Sequence, residues 1–228
     1  MCMTYHQDLI KAVRAALVPL ANPAVAKGAH AYMKGIAPFL GIPTPIRRKA
    51  VIAVFKTFPQ PTSIQLGSSA TALFAQVERE FAYSACDFLQ RNIDIADEDF
   101  LRRYVEKLVV TKSWWDTVDS LGSAAVSPLT MHYPSRSLMN EWIRSENIWL
   151  NRAAIQHQRG RKGDTDVDYV MSLCARHSHS REFFITKAVG WALRDIAAFN
   201  KPAVRAYLKQ FPELNSVAVR EAQRGLNR

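Results

Sequence analysis

The sequence predicts an all-α protein: a solenoid of stacked helix pairs with one concave, basic groove. Three observations predict it. Apolar residues recur at helical spacing along nearly the whole chain, and strand-like alternation is almost absent. Helix-start signals follow one another at short intervals, as in antiparallel helix pairs. An aromatic residue opens four similar segments: Phe81 in REFAYSACD, Trp115 in SWWDTVDSL, Trp149 in NIWLNRAAI and Phe183 in REFFITKAV, each 34 residues from the last. Between consecutive markers lies room for one further helix. The repeated unit is therefore a helix pair, and equivalent helices of stacked pairs would line one face.

A 34-residue period also suits tetratricopeptide repeats, but their tryptophan-leucine-glycine-tyrosine pattern is missing. The degenerate units fit HEAT-like pairs better, within a single domain spanning 1–228. The chain opens with an amphipathic helix carrying Lys11 and Arg14. The apolar run that follows, AALVPLANPAVA, is short and broken by Pro19 and Asn22. It is read as part of a cytoplasmic protein rather than as a leader, and no run approaches a membrane-spanning length. Thr44 before Pro45 is a start signal, a hydroxyl at the cap and then a residue that needs no amide partner. The helix IRRKAVIAVFKTF follows and stops before Pro59. Further starts are Asp97-Glu98-Asp99 before FLRRYVEKLV, Pro134 before SRSLMNEWI and Pro202 before AVRAYLKQF. In TKSWWDTVDSL, Ser113 and Asp116 have the spacing of a capping box.

Thirty Lys and Arg against 20 Asp and Glu give a formal charge of +10. Such a surplus suits a polyanionic partner, of which nucleic acid is the commonest. Cys2, Cys86 and Cys174 are odd in number and scattered, which suits a reducing compartment. Cys174, His177 and His179 lack a fourth ligand at finger-like spacing, so no metal site is expected.

On a helix, Trp115 and Asp119 are i and i+4 and share a face. Trp114, Val118 and Leu121 form the neighbouring apolar stripe, the natural core side. By itself this describes an edge tryptophan beside a solvated aspartate. One repeat later, Arg152 stands in register with Val118. On the next equivalent helix Lys187 and Trp191 again share a face, with Arg194 a turn further on. Lining one concavity, these residues would bring two indoles, one carboxylate and several cations to one surface. An arginine fork suits phosphate, and a ring face suits a cation or an apolar sugar edge. Arg152 paired with Asp119, only holding repeats together, is the alternative.

The chain resembles the AlkD-type DNA alkylation repair glycosylases over nearly its whole length. The matching segments are HAYMKGIAPFLGIPTPIRR, EREFAYSACDFL, VVTKSWWDTVDSL, SENIWLNRAAI and SREFFITKAVGWALRD. The resemblance implies an aromatic-lined DNA groove with a catalytic aspartate, mapping onto Tyr32, Trp115, Asp119, Arg152 and Trp191. It implies backbone contacts from Thr44, Arg47, Arg48 and Arg194 as well.

The implied substrate is duplex DNA carrying N3- or N7-alkylated purines, which are cationic. Ordinary glycoside cleavage needs two carboxyl groups, one to protonate the leaving group. A cationic alkylpurine departs as a neutral base, so one carboxylate suffices and no cofactor is expected. Asp119 would stabilise the charge developing on the deoxyribose, orient the attacking water, or both. The resemblance also implies that the lesion need not be turned out of the duplex, and the enzyme is expected to act as a monomer. Two other readings use the same composition: a HEAT-like scaffold that binds nucleic acid without catalysis, and a module that binds acidic protein segments.

Overall fold

All regular elements are helical among the residues described by the computed structural model, 4–228. Cys2 lies outside them. The chain forms two compact units, the first running to Ala125 and the second from Val126 to Arg228.

In the first unit, α1 (Tyr5–Leu17) is closed at its start by a capping box between Thr4 and Gln7. It buries Leu9, Val13 and Leu17, one residue per turn, against α3 (Thr44–Phe55) and α4 (Ser63–Phe74). Between α1 and α3 lies α2 (Pro23–Tyr32), whose start is capped by the Asn22 side chain and which buries none of its residues. A capping box of Thr62 and Gln65 opens α4, which packs on α5 (Arg79–Asn92). A π-helical turn, Leu101–Val105, leads into α6 (Glu106–Val109), and α7 (Trp115–Leu121) follows.

Two expected caps take a different form. The residue before α3 is Pro43, whose carbonyl accepts from the Arg47 N–H at 3.0 Å, and Thr44 is already the first helical residue. Its hydroxyl caps nothing, because it stands one position too late. Ser113 does not cap α7 either. Its hydroxyl donates back to the Val109 carbonyl at 2.7 Å, closing the helix before it, and Trp114 stands at the cap in extended conformation. Asp116 is thereby released for a different partner.

A π-helical stretch, Gly122–Val126, follows α7 at the end of the first unit, and the second holds α8 (Ser127–His132), α9 (Arg136–Trp142) and α10 (Ile148–Ile155). Then come α11 (Val167–Ala175), α12 (Phe183–Ala197), α13 (Lys201–Gln210) and α14 (Ser216–Leu226). The hub is α12, which packs against α10, α11, α13 and α14. Its closest neighbour is α14, and two glycines permit the approach. A Cβ on Gly190 would lie 2.9 Å from the Ala218 Cα, and one on Gly225 would lie 3.0 Å from the Arg194 Cα.

Each of the four aromatic markers falls in the first turn of a helix: Phe81 in α5, Trp115 in α7, Trp149 in α10 and Phe183 in α12. They share a place along their helices but not an environment. Phe81 is fully buried, Trp115 and Trp149 are half-buried, and Phe183 is exposed. Among the described residues, no single helix is long and apolar enough to cross a membrane.

Candidate nucleic-acid interface

In the first unit, Trp115 and Asp119 project from α7 one turn apart, both half-buried. The Tyr32 ring stands edge-on to the Trp115 indole, with centroids 6.5 Å apart and planes at 82°. Tyr32 is 73% exposed, so this edge pair presents aromatic surface to solvent. Trp114, expected in the core, is only half-buried, because the extended backbone at the cap turns it off the helical stripe.

At its C-terminal end α7 runs without a break into the π-helical stretch Gly122–Val126, so its free end is the first turn. What fixes α7 is a buried arginine from the first turn of α5. Arg79 grips Asp116 with both forks, Nη2 to Oδ1 at 2.6 Å and Nε to Oδ2 at 3.0 Å. The same guanidinium donates to Thr117 Oγ1 at 2.9 Å and to the Lys112 carbonyl at 2.6 Å. Tyr83 completes the carboxylate's shell, its hydroxyl 2.5 Å from Asp116 Oδ2. Burial raises the Tyr83 phenol well above its ordinary range, and the neighbouring Asp116 charge raises it further. The phenol therefore stays a donor.

The next residue along α5, Glu80, braces the other side. Its carboxylate accepts the backbone N–H groups of Leu40, Gly41 and Ile42 at 2.9, 2.8 and 3.2 Å. Gly41 is obligatory in that loop: its φ is +80°, and a Cβ would fall 2.2 Å from the Asn22 carbonyl oxygen. One turn of α5 thus fixes both α7 and the loop joining α2 to α3, and with them Trp115 and Tyr32. Neither Arg79 nor Glu80 stands out in the sequence. The only hint is adjacent opposite charges at the start of an otherwise apolar helix.

In the second unit, three guanidinium groups surround the half-buried Trp191: Arg159 at 5.0 Å, Arg152 at 5.2 Å and Arg194 at 5.6 Å from the ring. Arg152 is 1% exposed and donates to the Phe184 carbonyl at 2.6 Å. Arg194 and Lys187 both reach Glu221 of α14, at 2.7 and 2.8 Å, and Arg224 joins them at 2.8 Å. Burial alone would raise the Glu221 carboxyl. The Lys187 hydrogen bond and the charges of Lys187, Arg194 and Arg224 outweigh it and hold the group below its usual range.

Of the residues expected at a DNA surface, Tyr32, Trp115 and Asp119 belong to the first unit, with Tyr32 against Trp115 and Asp119 one turn along; Arg152, Trp191 and Arg194 come together in the second. Thr44 and Arg48 are exposed, Arg48 while bonded to Asp87 and Gln90 at 2.8 and 3.2 Å. Arg47 is 4% exposed, pairs with Asp87 at 2.6 Å and lies over the Tyr83 ring. Burial withdraws Arg47 and Arg152 from direct phosphate contact and makes them supports of their neighbours. Arg159, exposed beside Trp191, was not anticipated. Cys174 is fully buried, which pushes its thiol up to about 12.

The chain belongs to the DNA alkylation repair enzyme family, whose model matches residues 13–226. Among solved structures it is similar to one from Enterococcus faecalis described as a predicted DNA alkylation repair enzyme. The two share 29% identity with a TM-score of 0.75, over 89% of this chain and 95% of that one. No curated protein sequence matches. The all-α class and the family expected from the sequence both stand.

Proposed function

We propose that this chain is a DNA glycosylase of base excision repair that removes N3- and N7-alkylated purines from duplex DNA. The carrying observation is the shared face of Trp115 and Asp119 on a helix that Arg79 anchors from within. The buried Arg79–Asp116 pair fixes the first turn of that helix and so the place of both side chains, and charge stabilisation requires such fixed placement.

In this reading the C1′–N bond breaks with its electron pair passing to the cationic purine, which leaves neutral. Positive charge moves to the deoxyribose. The Asp119 carboxylate, placed about 4 Å from that charge, supplies about 4 kcal/mol at an effective dielectric near 20. That is a rate factor of about a thousand. Water then adds to C1′ and loses its proton to solvent or to Asp119, the same carboxylate serving to orient it. Trp115 lays its ring face against the sugar, with Tyr32 beside that indole, and Trp191 offers its ring to the DNA strand. Arg152, beside Trp191, holds that indole in place. Thr44, Arg48 and Arg194 serve the sugar-phosphate backbone. Because the Trp115 ring face addresses the sugar, the base itself need not enter a pocket. Residues 1–228 act as one glycosylase domain, as a cytoplasmic monomer without a cofactor.

Single-turnover release of free base from a duplex containing N7-methylguanine tests the proposal. Base should appear with a matching abasic site. Salt-dependent duplex binding without release would instead identify a non-catalytic scaffold, and binding to acidic peptide alone would identify a protein-binding module.

A further inference from the structure

Beside Trp191 the second unit holds a cavity of about 230 Å³. Its walls include apolar Ile155, Ile196 and Phe199, and Trp191 forms one side. Four cations stand around it: Arg159, Lys162, Arg194 and Arg228. One carboxyl lines it with them, Asp195, which burial raises against the opposing pull of Arg159, Arg194 and Arg228. The lining therefore combines an apolar interior with a net positive charge. Drug-sized ligands occupy roughly 300–1,000 Å³, so this volume suits something smaller: one sugar-phosphate unit, with its apolar sugar edge inside and its anion among the cations.

We propose that this cavity seats one phosphodiester and its deoxyribose from a DNA strand, and that Arg159 is the side chain that grips the phosphate. The inference rests on the DNA-binding part of the reading above. Arg152, the sequence's choice for that role, is 1% exposed and committed to the Phe184 carbonyl. Arg194 is bonded to Glu221 at 2.7 Å and so lends the strand its charge without freeing its fork. Arg159 is exposed just past the end of α10, 5.0 Å from the Trp191 ring centroid. Its hydrogen bond to Gln156 Oε1 is 3.4 Å long, near the limit of such a contact. A phosphate can replace that partner at little cost, and the guanidinium fork supplies two parallel donors for it. The same group then holds an anion while keeping its place over the indole.

The test is the salt dependence of binding to an undamaged duplex, measured by fluorescence anisotropy on the full chain. Each phosphate contact contributes about 0.9 to the slope of log affinity against log salt. Arg159→Ala should lower the slope by about that amount. Between about 50 and about 200 mM salt, the variant should then lose roughly 3.5-fold less affinity than the parent. Arg159→Lys keeps the charge and should keep the slope. Arg205→Ala removes an exposed cation of α13 that does not line the cavity, and should leave the slope unchanged. An unchanged slope for Arg159→Ala overturns the proposal, as does an equal fall for Arg205→Ala. Tight binding of free deoxyribose 5-phosphate with no change in the duplex slope overturns it too, by pointing to a small-molecule site. Base release is measured separately on the parent chain. Its absence removes the glycosylase reading while leaving the phosphate seat standing, and a flat slope does the reverse.

Discussion

Replacing Arg79 with methionine keeps an apolar stem of similar reach and removes the charge. Asp116 would then lose both guanidinium bonds while remaining 9% exposed, and Thr117 Oγ1 and the Lys112 carbonyl would each lose a donor. Breaking a buried ion pair from one side costs about 3–5 kcal/mol, because the surviving charge stays buried without compensation. For a protein of this length that corresponds to a fall in Tm of about 6–20 °C. Asp116→Asn should also destabilise. The double variant Arg79→Met with Asp116→Asn should cost less than the two singles together, by at least about 1 kcal/mol, since the pair acts as a unit. Urea unfolding followed by circular dichroism and tryptophan emission measures all three, and Trp114 and Trp115 report on α7 itself. If Arg79→Met lies within about 1 kcal/mol of the parent, or the two costs simply add, the anchoring of α7 has been misread.

Burial lowers His157 from its ordinary 6.5 to about 4. Its Nδ1 faces the Ala154 carbonyl at 2.7 Å and so carries the proton, leaving Nε2 to accept from Gln158 at 3.0 Å. The unfolded chain binds a proton more readily, so stability is full above about pH 6.5 and falls by about 3 kcal/mol as pH drops toward 4. His157→Gln should flatten that part of the stability–pH profile, and an unchanged profile would exonerate His157. Arg152→Met removes a charge-assisted hydrogen bond and a ring contact, and should cost about 2–4 kcal/mol. It should also shift Trp191 emission to the red while changing the salt slope of duplex binding less than Arg159→Ala does. A large fall in slope with normal stability would return the phosphate to Arg152.

The helical class was legible because burial of one stripe imposes a period of 3.6, and that period survives in the sequence even where the units are degenerate. Helix starts near Pro45, Pro134 and Pro202 fall within a residue or two of expectation, since proline acts through its own ring. FLRRYVEKLV reads as a single helix, yet it holds a π-helical turn before α6; an inserted residue in the ladder leaves no mark on local propensity. Trp115 and Asp119 were legible as a pair because i and i+4 is a local relation. Arg79 with Asp116 was not, being 37 residues apart, so Asp116 passed for a cap. Formal charge also says nothing of burial: Arg47 and Arg152 count toward the basic surplus yet lie inside, whereas Arg159, in a turn outside any periodic pattern, stands at the surface.

The measurement closest to the central claim is single-turnover release of N7-methylguanine by Asp119→Asn, with Tm and duplex affinity taken on the same samples. Asparagine keeps the size of the side chain and removes its charge. The account predicts a folded variant with parental affinity for undamaged DNA and a release rate lower by about a thousandfold. Release at the parental rate, with affinity and Tm intact, would contradict the assignment of Asp119 to the developing positive charge.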